Sequence, residues 1–433
     1  MADFVEAITR EHGEVYIVGG AVRNAMFNRF HGTTLLIKDR DLLVRGVAPA
    51  RLKELLDGHG TVKEVGQKFG VLKFRRAGQG TEFDVALPRT EVSTGPGYKD
   101  FKIVPDHTLS LEEDFRRRDA TINAMGVRIA GADELGRDSF DEAEVIDPFS
   151  GLVDLRRRIW RSVGDPTARF VEDPTRIMRA LRQCAEMGLE LEQTTRRSIV
   201  ENYRLLGEII QESVVRVTEE LVRLLLAPCR ARRAMVDFLF DSGVAEFLEI
   251  PSQGRDPLLR CDDSNSNLRV RIACLLTGPG DAVGWCRKYE LSACPHFPSR
   301  DVNFLKCVAS IPVSEIDVND DVAMRRLIQS AEKLCPNHGV DYTLDLIRYH
   351  AIVTASPESG IRLRDLHQKN HDTILTIAQV KLDGNTIREL YGLTGNGIKD
   401  LKTRLFDAIT EGHVENVKDK LIEYVDERAL IRK

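Results

Sequence analysis

Apolar and polar positions alternate in short runs through the first third of the chain, then settle into a longer, helical rhythm. Residues 14–18 (Glu-Val-Tyr-Ile-Val), 35–44, 70–74 and 82–87 cluster or alternate β-branched and aromatic side chains, which predicts strands. Between them, 49–56 and 115–125 read as helices. The turn cluster Asp147-Pro148-Phe149-Ser150-Gly151 closes this part. Beyond it the pattern predicts helices over 173–187, 194–202, 214–226 and 230–241, and more to the end. A stretch rich in Pro, Gly, Asp and Ser at 251–263 reads as a linker, and the Gly- and Pro-bearing stretch 92–107 reads as a loop. Strands first and helices afterwards give an α+β head on an all-α remainder.

Composition narrows the field. A chain of 433 residues, 42% hydrophobic, is long enough for several cores and too apolar for wholesale disorder. No uninterrupted apolar run approaches the ~20 residues of a membrane helix. Acids at Asp3 and Glu6 stand where a signal peptide needs bases, so no export signal is expected and a cytoplasmic location is. The eight cysteines form no Cys-x-x-Cys pair, which points to thiols in a reducing compartment. With 62 Lys+Arg against 67 Asp+Glu, any nucleic-acid binding must use a local basic surface. Arg156, Arg157, Arg158 and Arg161, and Arg230, Arg232 and Arg233, are the candidates.

Five stretches carry chemistry. Gly19-Gly20-Ala21-Val22-Arg23 follows a strand directly; glycines at a strand-to-helix turn let backbone N–H groups approach a phosphate, and Arg23 adds a fork of donors. Asp39 and Asp41 lie at i and i+2, so on a strand they share a face and can grip a cation. Asp84 is a lone acid in an apolar strand, either on the exposed face of an edge strand or in an acidic cluster. Arg116 to Arg118, Asp119 and Asn123 mix bases with a potential ribose or phosphate binder. In Glu172-Asp173-Pro174-Thr175-Arg176, Asp173 reads as the N-cap and Pro174 as the first helical residue. Asp173, Arg176, Arg179 and Arg182 then step round one side, while Ile177, Ala180, Leu181 and Cys184 hold the other. Asp accepts and Arg donates, the two complements of a planar ring edge.

Taken in order, Gly19-Gly20-x-x-Arg23, Asp39-x-Asp41, Arg117-Arg118-Asp119-x-Thr121-x-Asn123-Ala124, Asp147-Pro148-Phe149-x-Gly151 and Glu172-Asp173-x-x-Arg176 resemble the class II nucleotidyltransferases. These are the bacterial-type tRNA CCA-adding enzymes and their poly(A) polymerase relatives. A weaker resemblance runs through Val214-Val215-Arg216-Val217-x-x-Glu220-Leu221, Leu382-Asp383-Gly384, Gly395-Asn396-Gly397 and Glu411-Gly412-x-Val414-x-Asn416. The resemblance implies a β-polymerase-like head over 1–146, a helical neck over 147–212, a body over 213–300 and a tRNA-binding tail over 301–433. It implies template-independent addition of C, C and A to tRNA from CTP and ATP. Carried over by position, Asp39 and Asp41 hold Mg²⁺ and Asp84 is a third carboxylate; Gly19, Gly20 and Arg23 bind triphosphate. Arg118, Asp119 and Asn123 contact sugar and phosphate. Asp173 and Arg176 read the base, supported by Arg179 and Arg182.

The chain departs from the family pattern at Asn24, where an acid is usual, and at Ala120, where an aromatic is; it also has extra length around 28–35. No metal ligand is lost. Poly(A) synthesis, partial CC or A addition, and a catalytically inactive RNA-binding protein are the rival readings. The mixed charge of the C-terminus and the intact Asp39 and Asp41 favour CCA addition. His367, His371 and Asp372 lack the upstream ligands of a phosphohydrolase, so no such activity is expected.

Overall fold

The computed structural model describes residues 3–37, 40–65, 71–78, 82–93, 101–278, 280–310, 320–334, 339–356, 361, 364–365, 376–428 and 430. Asp39, the His367–His371–Asp372 group and 94–100 of the predicted loop lie outside them. The chain divides into two compact units, Met1–Phe247 and Leu248–Lys433.

In the first unit, helix α1 (Phe4–Arg10) leads into β1 (Glu14–Val18), α2 (Gly20–His31), β2 (Asp41–Arg45) and α3 (Pro49–Asp57). Strands β3 (Gly60–Val65), β4 (Val71–Arg76) and β5 (Glu82–Ala86) follow, then the hairpin of β6 (Arg89–Ser93) and β7 (Phe101–Pro105). After α4 (Leu111–Arg116) come β8 (Gly126–Ile129) and β9 (Val145–Ile146). The main sheet runs β3-β4-β5-β2-β1-β8-β9, antiparallel except for β2 beside β5. Both faces of its middle are covered: Val15 and Ile17 are as buried as Tyr16 and Val18, which pack with Leu43, Leu111 and Phe115. That is why β1 reads as an unbroken apolar run rather than an alternation.

Helices α5 (Gly151–Arg157), α6 (Pro166–Glu172), α7 (Thr175–Met187), α8 (Gln193–Asn202), α9 (Leu206–Leu226), α10 (Cys229–Asp241) and α11 (Val244–Phe247) complete the unit. The Asp147 carboxylate accepts from Gly151 N at 2.7 Å and Leu152 N at 2.9 Å, so the predicted turn cluster caps α5. Helix α7 packs an apolar side of Ile177, Ala180, Leu181 and Cys184, each fully buried, against α9 and α10.

Several expectations are corrected. The helix expected over 115–125 begins at Leu111, because Ser110 and Glu113 form a reciprocal capping box there. It ends at Arg116, and only a 3-10 turn (Thr121–Asn123) follows. Among the described residues, the strand expected over 35–44 is Asp41–Arg45. Residues 92–93 and 101–105, read as loop, are strand. Arg232, proposed for a basic surface, is 1% exposed and donates to the carbonyls of Leu225 and Ala227, which closes the end of α9. The second unit is helical among its described residues. Its expected linker contains a helix (Arg255–Arg260) whose Leu258, with Cys261 after it, is buried, so turn-rich composition there reflects tight packing. In the same unit the Asn416 side chain binds Lys381 N (2.9 Å) and the Gln379 carbonyl (3.0 Å), tying two of the tail motifs together.

Candidate active site

Register brings the glycine turn and the acids together. Across the sheet Val18 pairs with Asp41, one residue before Gly19. On the other side of β2 the parallel pairs Leu42–Val85 and Leu43–Ala86 put Asp84 level with Asp41 on the neighbouring strand. Arg40 is turned away, bound to Asp138 at 2.5 Å. Asp84 has a counter-ion already: Lys73, its cross-strand partner, donates at 2.9 Å, and this pairing raises the lysine's pKa. Among the described residues no group of three metal-ligating side chains forms. Asp41 and Asp84 are the described oxygen donors at the turn, and carboxylate oxygens suit a hard divalent cation.

The turn itself requires glycine. Gly19 has φ +72°, and a Cβ there would lie 2.9 Å from Arg118 Nη1. Arg118 crosses behind the turn, donating to the Asn123 carbonyl at 2.9 Å and lying 3.5 Å from buried Asp114. Burial lowers its pKa. Arg23, on the first turn of α2, has no carboxylate hydrogen-bonded to it among the described residues. Its Nη1 donates to Asn123 Oδ1 at 2.6 Å and its Nε to Asn24 Oδ1 at 3.0 Å. Burial, reinforced by nearby Arg182, pulls its pKa down to about 10. An arginine held by amides is a cation waiting for an anion.

Asn24 and Asn28, one helical turn apart on α2, fasten the segment that leads to the acids. Asn24 donates to the Leu36 carbonyl at 2.9 Å. Asn28 donates to Leu35 O (2.9 Å) and accepts from Thr33 Oγ1 (2.8 Å) and Leu35 N (2.7 Å). The extra length around 28–35 is thus the end of α2 plus a bound strap, and the amide at position 24 serves both strap and arginine.

Asp119 is buried where the 3-10 turn (Thr121–Asn123) meets α7. Its Oδ1 accepts from Ala120 N and Asn123 Nδ2, both at 2.8 Å, and Oδ2 lies 3.5 Å from Arg179. Burial pushes its pKa up, but Arg179, the Asn123 amide, Arg176 and Arg23 outweigh that and hold it below the ordinary carboxylate value.

Helix α7 meets Asp119 side-on. Asp173 caps it as expected, accepting from Thr175 N at 3.1 Å, and is flanked by Arg216 at 3.4 Å. The three arginines are not equivalent. Arg176, 7% exposed, donates to Glu172 (3.0 Å) and to the Arg117 carbonyl (2.8 Å). Arg182 is equally buried between Glu186 and Glu220. The Arg179 side chain is 37% exposed and among the described residues makes long pairs only, 3.5 Å to Asp119 and 3.7 Å to Glu220. Glu186, Asp114, Lys73 and Gln183 belong to this constellation and were missed from sequence, while Glu220 was quoted in the Val214–Leu221 motif without a role. The i,i+4 partners Asp114 and Glu186 had a local signal; that Glu220 meets Arg182, 38 residues away, had none.

The chain matches the Poly A polymerase head domain over residues 15–161. A CCA-adding enzyme of Geobacillus sp. is 27% identical, with 98% of this chain and 95% of that one covered. A CCA-adding enzyme of Lactobacillus gasseri is 34% identical, with 95% and 93% covered. The crystal structure of the Bacillus stearothermophilus CCA-adding enzyme in complex with CTP shares the fold at a TM-score of 0.67 and 24% identity, over 99% of this chain and 96% of that one. With its glycine turn, acid strands and arginine helix in one unit and a relative this similar along nearly its whole length, the chain belongs to the class II CCA-adding enzyme and poly(A) polymerase family.

Proposed function

We propose that this protein adds C, C and A to the 3′ end of tRNA from CTP and ATP, releasing pyrophosphate, in the cytoplasm and with Mg²⁺. The observation that carries the reading is that one unit aligns Gly19–Arg23, Asp41 and Asp119 beside the N-terminal half of α7. Among the described residues no helix is long and apolar enough to cross a membrane.

In this reading the N–H groups at the Gly19–Gly20 turn and Arg23 receive the triphosphate, whose charge satisfies the guanidinium that the Asn24 and Asn123 amides hold among the described residues. Asp39 and Asp41 hold Mg²⁺, with Asp84 available once Lys73 yields it. A divalent cation held by these carboxylates would supply activation of the primer hydroxyl and charge neutralisation of the departing pyrophosphate. Arg118, Asp119 and Asn123 keep the sugar–phosphate side of the pocket in place. Asp173 and Arg176 read the base with Arg179 and Arg182 in support. Arg179, being half-buried and loosely paired, has donors to give; Arg176 and Arg182 chiefly fix the helix. Positioning and charge neutralisation supply most of the rate in phosphoryl transfer, which suits so rigid a network. Arg157, Arg230 and Arg233 are exposed and available to RNA phosphates.

The test is incubation with tRNA lacking its terminal triplet, Mg²⁺ and labelled CTP and ATP, singly and together. Two C followed by one A is the expected product; a long A ladder on unrelated RNA would assign poly(A) synthesis instead.

A further inference from the structure

Gln183 sits on α7 with 4% of its surface exposed, next to the fully buried Cys184. A neutral amide in such surroundings is costly unless its polar atoms are bonded. Its Oε1 accepts from two donors: Trp160 Nε1 at 2.9 Å and Asn123 Nδ2 at 3.1 Å. The second amide proton of Asn123 goes to Asp119 Oδ1 at 2.8 Å. With two acceptor oxygens facing its nitrogen, Asn123 cannot rotate its amide without setting oxygen against oxygen. Its own oxygen is therefore fixed toward Arg23, whose Nη1 donates to it at 2.6 Å.

We infer that Gln183 is a positioning residue for Arg23, acting through Asn123, and that Trp160 braces it from behind and senses the occupancy of the phosphate site. Trp160 is wholly buried, in the short strand pairing with Glu190–Leu191. The relay Arg23–Asn123–Gln183–Trp160 runs from the glycine turn to the helix that carries the base-reading residues. One side chain of α7 thus sets the phosphate end of the pocket while its neighbours set the base end. The inference rests on the reading that Arg23 receives the triphosphate.

The chain has two tryptophans, so Trp285→Phe in the second unit leaves Trp160 as the single indole emitter. In that full-length background, inorganic pyrophosphate with Mg²⁺ is titrated while emission is followed, with calorimetry to measure binding. The unmodified relay shifts Trp160 emission on saturation. Gln183→Met, close in volume but lacking the acceptor, abolishes that shift and raises KM for CTP and ATP alike, by roughly 5- to 10-fold, with kcat within about 2-fold and C/A choice unchanged. Gln183→Glu, which keeps an acceptor oxygen, restores most of the KM. An unchanged KM in Gln183→Met, or an emission shift that survives in it, overturns the inference. Should Gln183→Met fail to fold, Trp160→Phe removes the brace and is expected to raise both KM values about 2- to 3-fold, and unchanged values overturn the inference equally. Arg23→Met separates the two ideas: unchanged KM there defeats the phosphate reading itself, whereas raised KM in Arg23→Met with none in Gln183→Met defeats only the relay.

Discussion

Asp119→Asn is the perturbation whose consequence is best fixed by geometry. The substitution keeps the shape and removes an anion facing Arg179, 3.5 Å away. Breaking a fully buried ion pair costs about 3–5 kcal/mol, because the remaining charge is stranded. Here the arginine is 37% exposed and the contact long, so water recovers part of that, leaving about 2–3 kcal/mol. In a unit of 247 residues that lowers its melting temperature by roughly 4–10 °C. The pH dependence follows from the sign of the shift. The folded carboxyl titrates below its ordinary 3.8, so its charge stabilises the fold above about pH 4 and that contribution is lost as pH falls through the lower folded value. Melting measured from pH 8 to pH 3 should show a constant gap between wild type and variant down to about pH 5, closing below pH 4. Equal melting temperatures at pH 7, or a gap that widens in acid, would refute the charge assignment.

Four further substitutions probe the rest. Asp41→Asn should abolish nucleotide incorporation, by at least about 1000-fold, while tRNA binding measured by filter retention stays within about 2-fold; substantial turnover would remove Asp41 from the metal site. Asn28→Ala cuts three bonds to the strap over 33–35 and should cost about 1–3 kcal/mol and raise the Mg²⁺ concentration needed for half-maximal rate, since the strap leads to the acids; an unshifted Mg²⁺ titration counts against it. Arg179→Ala should blur C/A selection, read by competing labelled nucleotides, more than it lowers total incorporation, whereas Arg176→Ala, which unties the Arg117 carbonyl, should also lower the melting temperature by several degrees.

How much of this was legible depended on range. Strand β1, helix α3 and helix α7 follow from local period and caps, and all stand close to where the pattern put them. The glycine turn and Arg23 were readable because backbone demands and charge show in a few adjacent residues. The start of α4 was also readable in principle, as Ser110-x-x-Glu113, but the basic run after it drew the helix toward 115–125. The burial of Arg232 and the packing of 255–261 were not readable, since composition cannot tell a solvated arginine from one closing a helix end. The partners that give the arginines of α7 different duties lie 38 to 60 residues away, and only the fold decides which rung meets which acid.

The central claim is that one pocket joins the acids of β2 and β5, the glycine turn and the arginine helix around a single nucleotide. A crystal structure with CTP and Mn²⁺, read by the metal's anomalous signal, tests it most directly. The expected result is a metal peak at Asp41, triphosphate across Gly19–Arg23 and the base facing Asp173 and α7. Nucleotide bound away from the glycine turn, or a metal peak remote from Asp41, would contradict it.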